Sequence, residues 1–428
     1  MTLIIFVGSL LLAMAIGIPI SFALLVSGVA LMWHLDMFEA QILAQNLLGG
    51  ADNYPLLAVP FFLLAGEIMN EGGLSRRIVD FAMALVGHIR GGLGYVTIVA
   101  SIMLSALSGS AVADAAALTT MLLPMMVAAG HAPHRAAGLI AASGVIAPVL
   151  PPSIGLVIFG VTANVSISKL FMAGIAPGLL MGLALWVTWA YVARNEGAVP
   201  PPRKPLKELL VTLRRCSWAL MLPVIILVGL RMGVFTPTEA GVVAAVYALF
   251  VSTVIYRGLK LSQLYGIFVK AAKTTAVVMF LVAAAMVSAW LITVADLPGK
   301  VVGMLEPFLG SPILLMIAIM VLVMVVGTAM DMTPTILILT PVLMPVIVAA
   351  KIDPVYFGVL FIMNNAIGLV TPPVGVVLNV VAGVGRMSMD TVTKGVMPFM
   401  IAQFLIMFLM VLFPWLVTGP AKLFHGGP

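Results

Sequence analysis

Two stretches of this chain, Leu122–Pro152 and Leu343–Pro373, lie over one another without a gap at a constant offset that carries Leu122 onto Leu343. Each ends in a Pro-Pro pair inside apolar sequence. The matched positions include Pro124/Pro345, Pro133/Pro354, Pro151/Pro372 and Pro152/Pro373, with Leu139/Leu360, Ile146/Ile367 and Val149/Val370 among the rest. Aliphatic residues match by chance in any strongly apolar chain, but prolines do not. Each proline removes a backbone donor and normally interrupts a helix, so two helix breaks recur at one spacing. Repeats with interrupted apolar segments are the pattern that points to a transporter's binding site.

Composition places the duplication in a bilayer. Hydrophobic residues make up 63% of the chain and charged ones 8%, with mean hydropathy +1.23, whereas soluble domains carry about 25% charged residues. Apolar runs such as Leu3–Trp33, Ala276–Val294 and Val396–Val417 approach or exceed the roughly 20 residues a membrane span needs. The pattern predicts about ten to twelve membrane-inserted segments. Two of them, Leu104–Ala117 and Ala142–Val157, are too short or broken to cross alone and are expected as re-entrant hairpins. The first run lacks a basic leader and is longer than a signal-peptide core, so it reads as a retained first helix. The single cysteine, Cys216, excludes an internal disulfide and any Cys-based metal cluster.

The net charge of +6 does not point to nucleic acid, because the positive residues sit in short loops between apolar segments. The positive-inside rule accounts for them. Arg194, Arg203, Lys204, Lys207, Arg214 and Arg215 surround Pro200–Pro202, which reads as a cytoplasmic connector between halves. The loop containing His131, His134 and Arg135 is more basic than its counterpart around Lys351 and Asp353. The two loops are therefore expected on opposite sides of the membrane, as inverted repeats require.

The first half carries Ser105, Ser108-Gly109-Ser110 and Asp114, then Ala147-Pro148-Val149-Leu150-Pro151-Pro152-Ser153. A helix cannot continue through those prolines, and each frees carbonyls that must find a partner in hydrocarbon at a cost of several kcal/mol. A bound cation is such a partner, since carbonyl and hydroxyl oxygens suit hard ions. The second half supplies Gly327, Asp331, Thr333 and Thr335, then Asn364-Asn365, Gly368 and Thr371-Pro372-Pro373-Val374. The offset pairs Ala147 with Gly368 and Leu150 with Thr371: the side chains differ while the break is kept, as expected if backbone oxygens do the binding.

Charge inside a membrane starts with a functional reading because burying it is expensive. Asp114 and Asp331 both follow a break, and each could face a substrate cavity, contribute to an ion's field or cap a helix. Thr236-Pro237-Thr238-Glu239 reads as a helix cap, and Glu67 is expected nearer an interface. Gly174, Gly178 and Gly182 give a smooth face for close packing. A serine protease would need a base near Ser108 or Ser110, and the histidines lie in loops or at segment ends. An aspartyl mechanism would need Asp114 and Asp331, from separate halves, to converge. Enzymatic activity is not expected. A channel also uses carbonyl oxygens, but broken helices in duplicated halves favour alternating access.

The chain also resembles the large membrane subunit of the TRAP (tripartite ATP-independent periplasmic) transporters, DctM type, nearest the 2,3-diketogulonate type. The likeness runs through Pro60–Met69, Ser108–Asp114, Pro151–Ser153, Phe235–Gly241 and Gly368–Pro373. It implies an all-α polytopic protein of the bacterial inner membrane with inverted repeats, two re-entrant hairpins and an elevator-type transport domain sliding on a scaffold. The expected partition is scaffold at 1–90 and 217–310, transport repeats at 91–193 and 311–395, the basic connector at 194–216, and a C-terminal helix and tail at 396–428. The resemblance also implies sodium coupling, a small four-helix membrane subunit and a periplasmic binding protein delivering an organic acid of sugar-acid, sialic-acid or dicarboxylate type. Carried over, one sodium site uses Ser105, Ser108, Ala147, Leu150 and Pro152, and the other Gly327, Gly368, Thr371 and Val374. Ala147 stands where the family pattern has glycine. The substrate is expected to meet Ser110, Asp114, Asp331, Thr333, Asn364 and Asn365. The competing expectation is a proton-coupled or standalone symporter in which Asp114 or Asp331 carries the proton.

Overall fold

The structure is a computed structural model and describes residues 2–195, 202–328 and 330–425; within the connector, 196–201 lie outside the described residues. Helix α1 (Thr2–Ala15) and helix α2 (Ile20–His34) come from the run expected as one helix. Gly17 takes a left-handed φ of 85° and Pro19 precedes the second helix, so the run folds back and the two helices pack together. Next, α3 (Ala40–Ala51) turns by 53° into α4 (Ala58–Glu71). Helix α5 (Leu74–Val86) buries Leu74, Ile78, Val79 and Ala82 and exposes Arg76 and Asp80, an amphipathic pattern.

Two five-helix units follow. The first is α6 (Gly92–Ser108), α7 (Ala111–Ala128), α8 (Pro133–Gly144), α9 (Ile154–Thr162) and α10 (Ile167–Val192). Between the units lie α11 (Leu206–Arg231), α12 (Pro237–Phe250, extended by a π turn Val251–Ile255), α13 (Leu261–Val294) and α14 (Leu297–Leu309). The second unit is α15 (Pro312–Gly327), α16 (Met332–Ala349), α17 (Pro354–Gly368), α18 (Val376–Gly385) and α19 (Met389–Leu412); α20 (Trp415–His425) closes the described chain. The offset that relates the two Pro-Pro breaks carries α7 onto α16 residue for residue, and places the other four helices over their partners to within three residues at each end. The duplication visible over one proline-rich stretch thus spans five helices.

Seven helices are long and apolar enough to cross a membrane, or eight if the bent α3 and α4 form one span. Shorter apolar pieces, including α1, α2, α6, α15, α17 and α18, accompany them. Breaks divide what the sequence presents as single segments. Of the two expected hairpins, α6 and α7 do lie along one another, but α8 and α9 do not; Ala142–Val157 is a broken helix, because its prolines stop one helix without reversing the chain against it. Two expected boundaries fall inside helices. The connector 194–216 is already helical from Leu206, just after Pro205 at the cap, and position 395 lies within α19.

The units are inverted, and α19 is the ruler. Its 24 residues span about 36 Å at 1.5 Å per residue. Near its start, Lys394 shares a cavity with His134 and Arg135 at the base of the α6–α7 pair. At its far end, Met410 accepts a 3.0 Å hydrogen bond from the Tyr356 hydroxyl, just after the base of the α15–α16 pair. The two pairs therefore open toward opposite faces.

Within this frame, α4 packs on α12 and α13 on α2, α3 and α4, while α19 packs on α8, α10 and α17. In lipid, such packing depends on close van der Waals contact rather than exclusion of water. Phe159 of α9 meets Phe357 and Phe361 of α17 at 6.1 and 5.8 Å between ring centres, joining the two units. The glycine face of α10 seats the first broken segment. A Cβ on Gly174 would collide with the Val149 carbonyl oxygen, and one on Gly178 would lie 2.5 Å from the Leu150 side chain.

Candidate functional site

Both hairpin tips end against a helix break. Helix α6 stops because Gly109 adopts φ 60°, returning its N–H to the Ser105 carbonyl, and Ser110 caps α7 by accepting from the Ala113 N–H. A Cβ on Gly109 would sit 2.5 Å from the Pro152 carbonyl oxygen, so this tip touches the Pro-Pro break. In the second unit, a Cβ on Gly368 would lie 3.0 Å from the Gly327 carbonyl oxygen, so the end of α15 meets the end of α17 backbone to backbone. The two regions are neighbours. A Cβ on Gly155, beyond the first break, would be 3.0 Å from the Met332 methyl beside the second tip.

The first set of predicted oxygen donors is largely unspent. Ser105 is fully buried and its hydroxyl has no partner among the described residues. No described N–H or O–H donates to the carbonyls of Ala147, Leu150 or Pro152, although the chain around them makes turns through Ile146 N–H to Ser143 and Leu150 N–H to Ile146. Ser108 Oγ donates to Asp114 Oδ1 at 2.5 Å and accepts from the Ser110 N–H at 3.2 Å. Asp114 is 1% exposed, and its Oδ2 has no partner among the described residues. Unpaired buried oxygens are costly in a low-dielectric interior, which makes those at a helix break candidate ligands for a cation.

In the second set, Gly368 accepts from the Thr371 N–H at 3.0 Å, and the Thr371 hydroxyl donates to Ile367 at 2.9 Å, leaving its lone pairs open. The Val374 carbonyl accepts from the Asn379 amide at 2.8 Å, so it has one acceptor position fewer than its counterparts. Here the predicted ligands are more fully engaged.

The residues expected to meet substrate divide in the structure. Asp331 is exposed and caps α16, accepting from the Met332 N–H at 2.8 Å. Ser110 is half-buried and likewise a cap. Thr333 is half-buried in the first turn of α16. Asn364 and Asn365 lie in the packed interior: Asn364 donates to Met320 of α15 and Asn365 to Phe361 of its own helix. The oxygen of each amide has no partner among the described residues. Each asparagine keeps an acceptor oxygen open, and Asn365, which gives one N–H to Phe361, keeps a donor as well. Burial is the reason: a side chain tied to a neighbouring carbonyl by its N–H group has its oxygen left over.

Glu67 pairs with Lys270 of α13 at 2.6 Å, and the cap read at Thr236 and Glu239 is a reciprocal capping box. Two polar residues carry structure that the sequence does not single out. Gln403 of α19 donates to the Ala142 carbonyl at 2.8 Å, just before the first break, and Ser101 donates to Ser143 at 2.6 Å. A glutamine inside an apolar run of helical length was the available signal. The described residues hold no group of three or more His, Cys, Asp or Glu able to bind a metal. His131 lies against Trp189 at the base of α7, the rings 5.3 Å apart and tilted by 53°, and the 18 residues of α7 put about 27 Å between it and the serines of the tip.

From residue 7 to 416 the chain matches the family described as tripartite ATP-independent periplasmic transporter, DctM component. It is 55% identical over 422 residues to the 2,3-diketo-L-gulonate TRAP transporter large permease protein YiaN of Escherichia coli, covering 99% of each chain. It is 40% identical over 410 residues to the sialic acid TRAP transporter large permease protein SiaM of Vibrio cholerae, covering 96% of each. Its fold is similar to that of the YdaH transporter of Alcanivorax borkumensis over 88% of each chain, with a TM-score of 0.64 at 16% identity.

Proposed function

The chain belongs to the DctM component family of TRAP transporters and is a large permease of the bacterial inner membrane; from that premise we propose that it imports an organic acid by sodium symport. The observation that carries the reading is the pairing of each hairpin tip with a helix break, with the Ser105 hydroxyl and the carbonyls of Ala147, Leu150 and Pro152 left open beside the first. One sodium ion is held by Ser105, Ser108 and those carbonyls. A second is held by Gly327, Gly368 and Thr371, with Val374 contributing a lone pair its Asn379 bond leaves over. Binding an ion ties a tip to its break, and the helix N-termini there offer partial positive charge to an anionic substrate. Ser110 and Thr333, both half-buried at the tips, hydrogen-bond it.

The two inverted units form the moving body, and α1–α5 with α11–α14 form the scaffold, an elevator division supported by the packing of α13 on α2, α3 and α4 and of α4 on α12. The substrate is a sugar acid, sialic acid or dicarboxylate, and the names of the relatives favour a sugar acid. A periplasmic binding protein delivers it and a small four-helix membrane subunit completes the complex. No catalysis is assigned, since about 27 Å separates the tip serines from His131.

Uptake into proteoliposomes containing the complete complex decides the coupling. A sodium gradient should drive it and a pH gradient alone should not; uptake that survives without sodium would sink the proposal, and uptake without the binding protein would remove the tripartite part. The second reading, proton coupling, rests on buried Asp114 bonded to Ser108 and no longer on Asp331, an exposed cap.

A further inference from the structure

A cavity of about 650 Å³ opens between the start of α8, the end of α10 and the start of α19. Its described lining brings together Arg135, Arg194, Lys394 and His134. Arg135 donates to the Val192 carbonyl at 3.0 Å, holding its guanidinium against the last turn of α10. At the rim Lys394 pairs with Asp390 at 2.7 Å, where both side chains are more than 70% exposed. The walls are fixed, because α8 and α19 meet without intervening side chains: a Cβ on Gly395 would overlap the His134 carbonyl oxygen. The cavity lies at the end of α10 from which the basic connector departs, which the positive-inside rule assigns to the cytoplasm.

Apolar stripes run from this cavity into the membrane. On α10, Leu179, Leu183, Val187 and Tyr191 recur every four residues and are 49%, 56%, 61% and 81% exposed, and Tyr191 lines the cavity. On α19, the face of Lys394 and Pro398 continues through Ile401 and Leu405, which are 50% and 66% exposed. The helices pack against each other. A soluble anion would use only the basic end of this arrangement. A molecule with a phosphate head and acyl tails uses both.

We propose that this cavity is a binding site for the phosphate headgroup of an anionic phospholipid of the cytoplasmic leaflet, its acyl chains lying along α10 and α19. Basic recesses between membrane helices on this side have the charge to hold such headgroups. Because the headgroup would bridge the two inverted units, it stabilises the base of the first hairpin against α19.

The test is native mass spectrometry of the purified full-length chain titrated with phosphatidylglycerol, phosphatidylcholine, or soluble glycerol phosphate. Phosphatidylglycerol is expected to bind at lower concentration than phosphatidylcholine. In the double variant Arg194→Gln, Lys394→Gln, both at exposed positions, half-saturation should rise roughly tenfold. Glycerol phosphate matching the lipid would make this a free-phosphate site and overturn the lipid assignment. Equal binding of both lipids, or an unchanged midpoint in the variant, would overturn the site.

Discussion

Replacing Gly109 by alanine tests whether the hairpin tip positions the first cation site. Two costs are built into the structure. At φ 60° an L side chain pays about 1–2 kcal/mol for the left-handed backbone. The new methyl would also lie 2.5 Å from the Pro152 carbonyl oxygen and 3.3 Å from Ser153 Cα, so that oxygen must retreat by about 1 Å to reach ordinary contact distance. Overpacking of this kind costs about 1–3 kcal/mol. Since Pro152 is an assigned ligand, part of that cost falls on ion binding, and at about 1.4 kcal/mol per decade the sodium concentration for half-maximal uptake should rise about tenfold to a hundredfold. Gly233→Ala is the control. Gly233 has φ 70° but nothing within 4 Å of its would-be Cβ, so it bears the backbone cost alone. Both variants should lose thermal stability, and only Gly109→Ala should need more sodium in proteoliposome uptake. Wild-type sodium dependence in a folded Gly109→Ala protein would refute the reasoning.

Asp114→Asn keeps an oxygen that accepts from Ser108 and should cost about 1 kcal/mol, the difference between a charged and a neutral acceptor, while depressing uptake, whereas Asp331→Asn, an equivalent cap, should melt and transport like wild type; thermal unfolding and uptake read both. Ser105→Ala should raise the sodium requirement while leaving the melting temperature near wild type, because the hydroxyl has no partner among the described residues to lose. Gly94→Ala should lower the melting temperature by several degrees without specific loss of sodium affinity, since its Cβ would collide with the buried Trp189 ring, and overpacking costs about 1–3 kcal/mol. Ser110→Ala and Thr333→Ala should each raise the KM for substrate in uptake assays; unchanged kinetics in both would remove the tips from the substrate site.

Prolines made the architecture legible. Pro151/Pro372 and Pro152/Pro373 fixed both breaks and their spacing, and a residue with no amide donor says the same thing in any fold. The carbonyls of Ala147, Leu150 and Pro152 that accept from no described N–H were legible for the same reason. Side chains were not, because a hydroxyl or amide in an apolar segment has several partners within reach and the sequence does not choose among them. Asn364 and Asn365 have the composition of substrate contacts, yet both are buried in the packed interior, where each gives an N–H to a backbone carbonyl, of Met320 and of Phe361. Gln403 is hidden among the aliphatic and methionine residues of α19.

The two aspartates show how position outranks residue type. Both follow a break, so they read as counterparts, but the offset pairs Asp331 with Ser110 and Asp114 with Thr335. The structure respects those pairs. Ser110 and Asp331 each cap the second helix of a hairpin through the side-chain oxygen. Asp114 and Thr335 sit one turn farther on, both buried, and Thr335 returns its hydroxyl to the Asp331 carbonyl at 2.8 Å. An acid at the exposed cap is favoured by the helix dipole and costs little. An acid at the buried position is expensive, and of the two matched positions only Asp114 bears that cost, accepting from Ser108 at 2.5 Å. The inverted units therefore share a hairpin tip set against a helix break but not its electrostatics, and the carboxylate that distinguishes them bonds to Ser108, a ligand of the first proposed cation site.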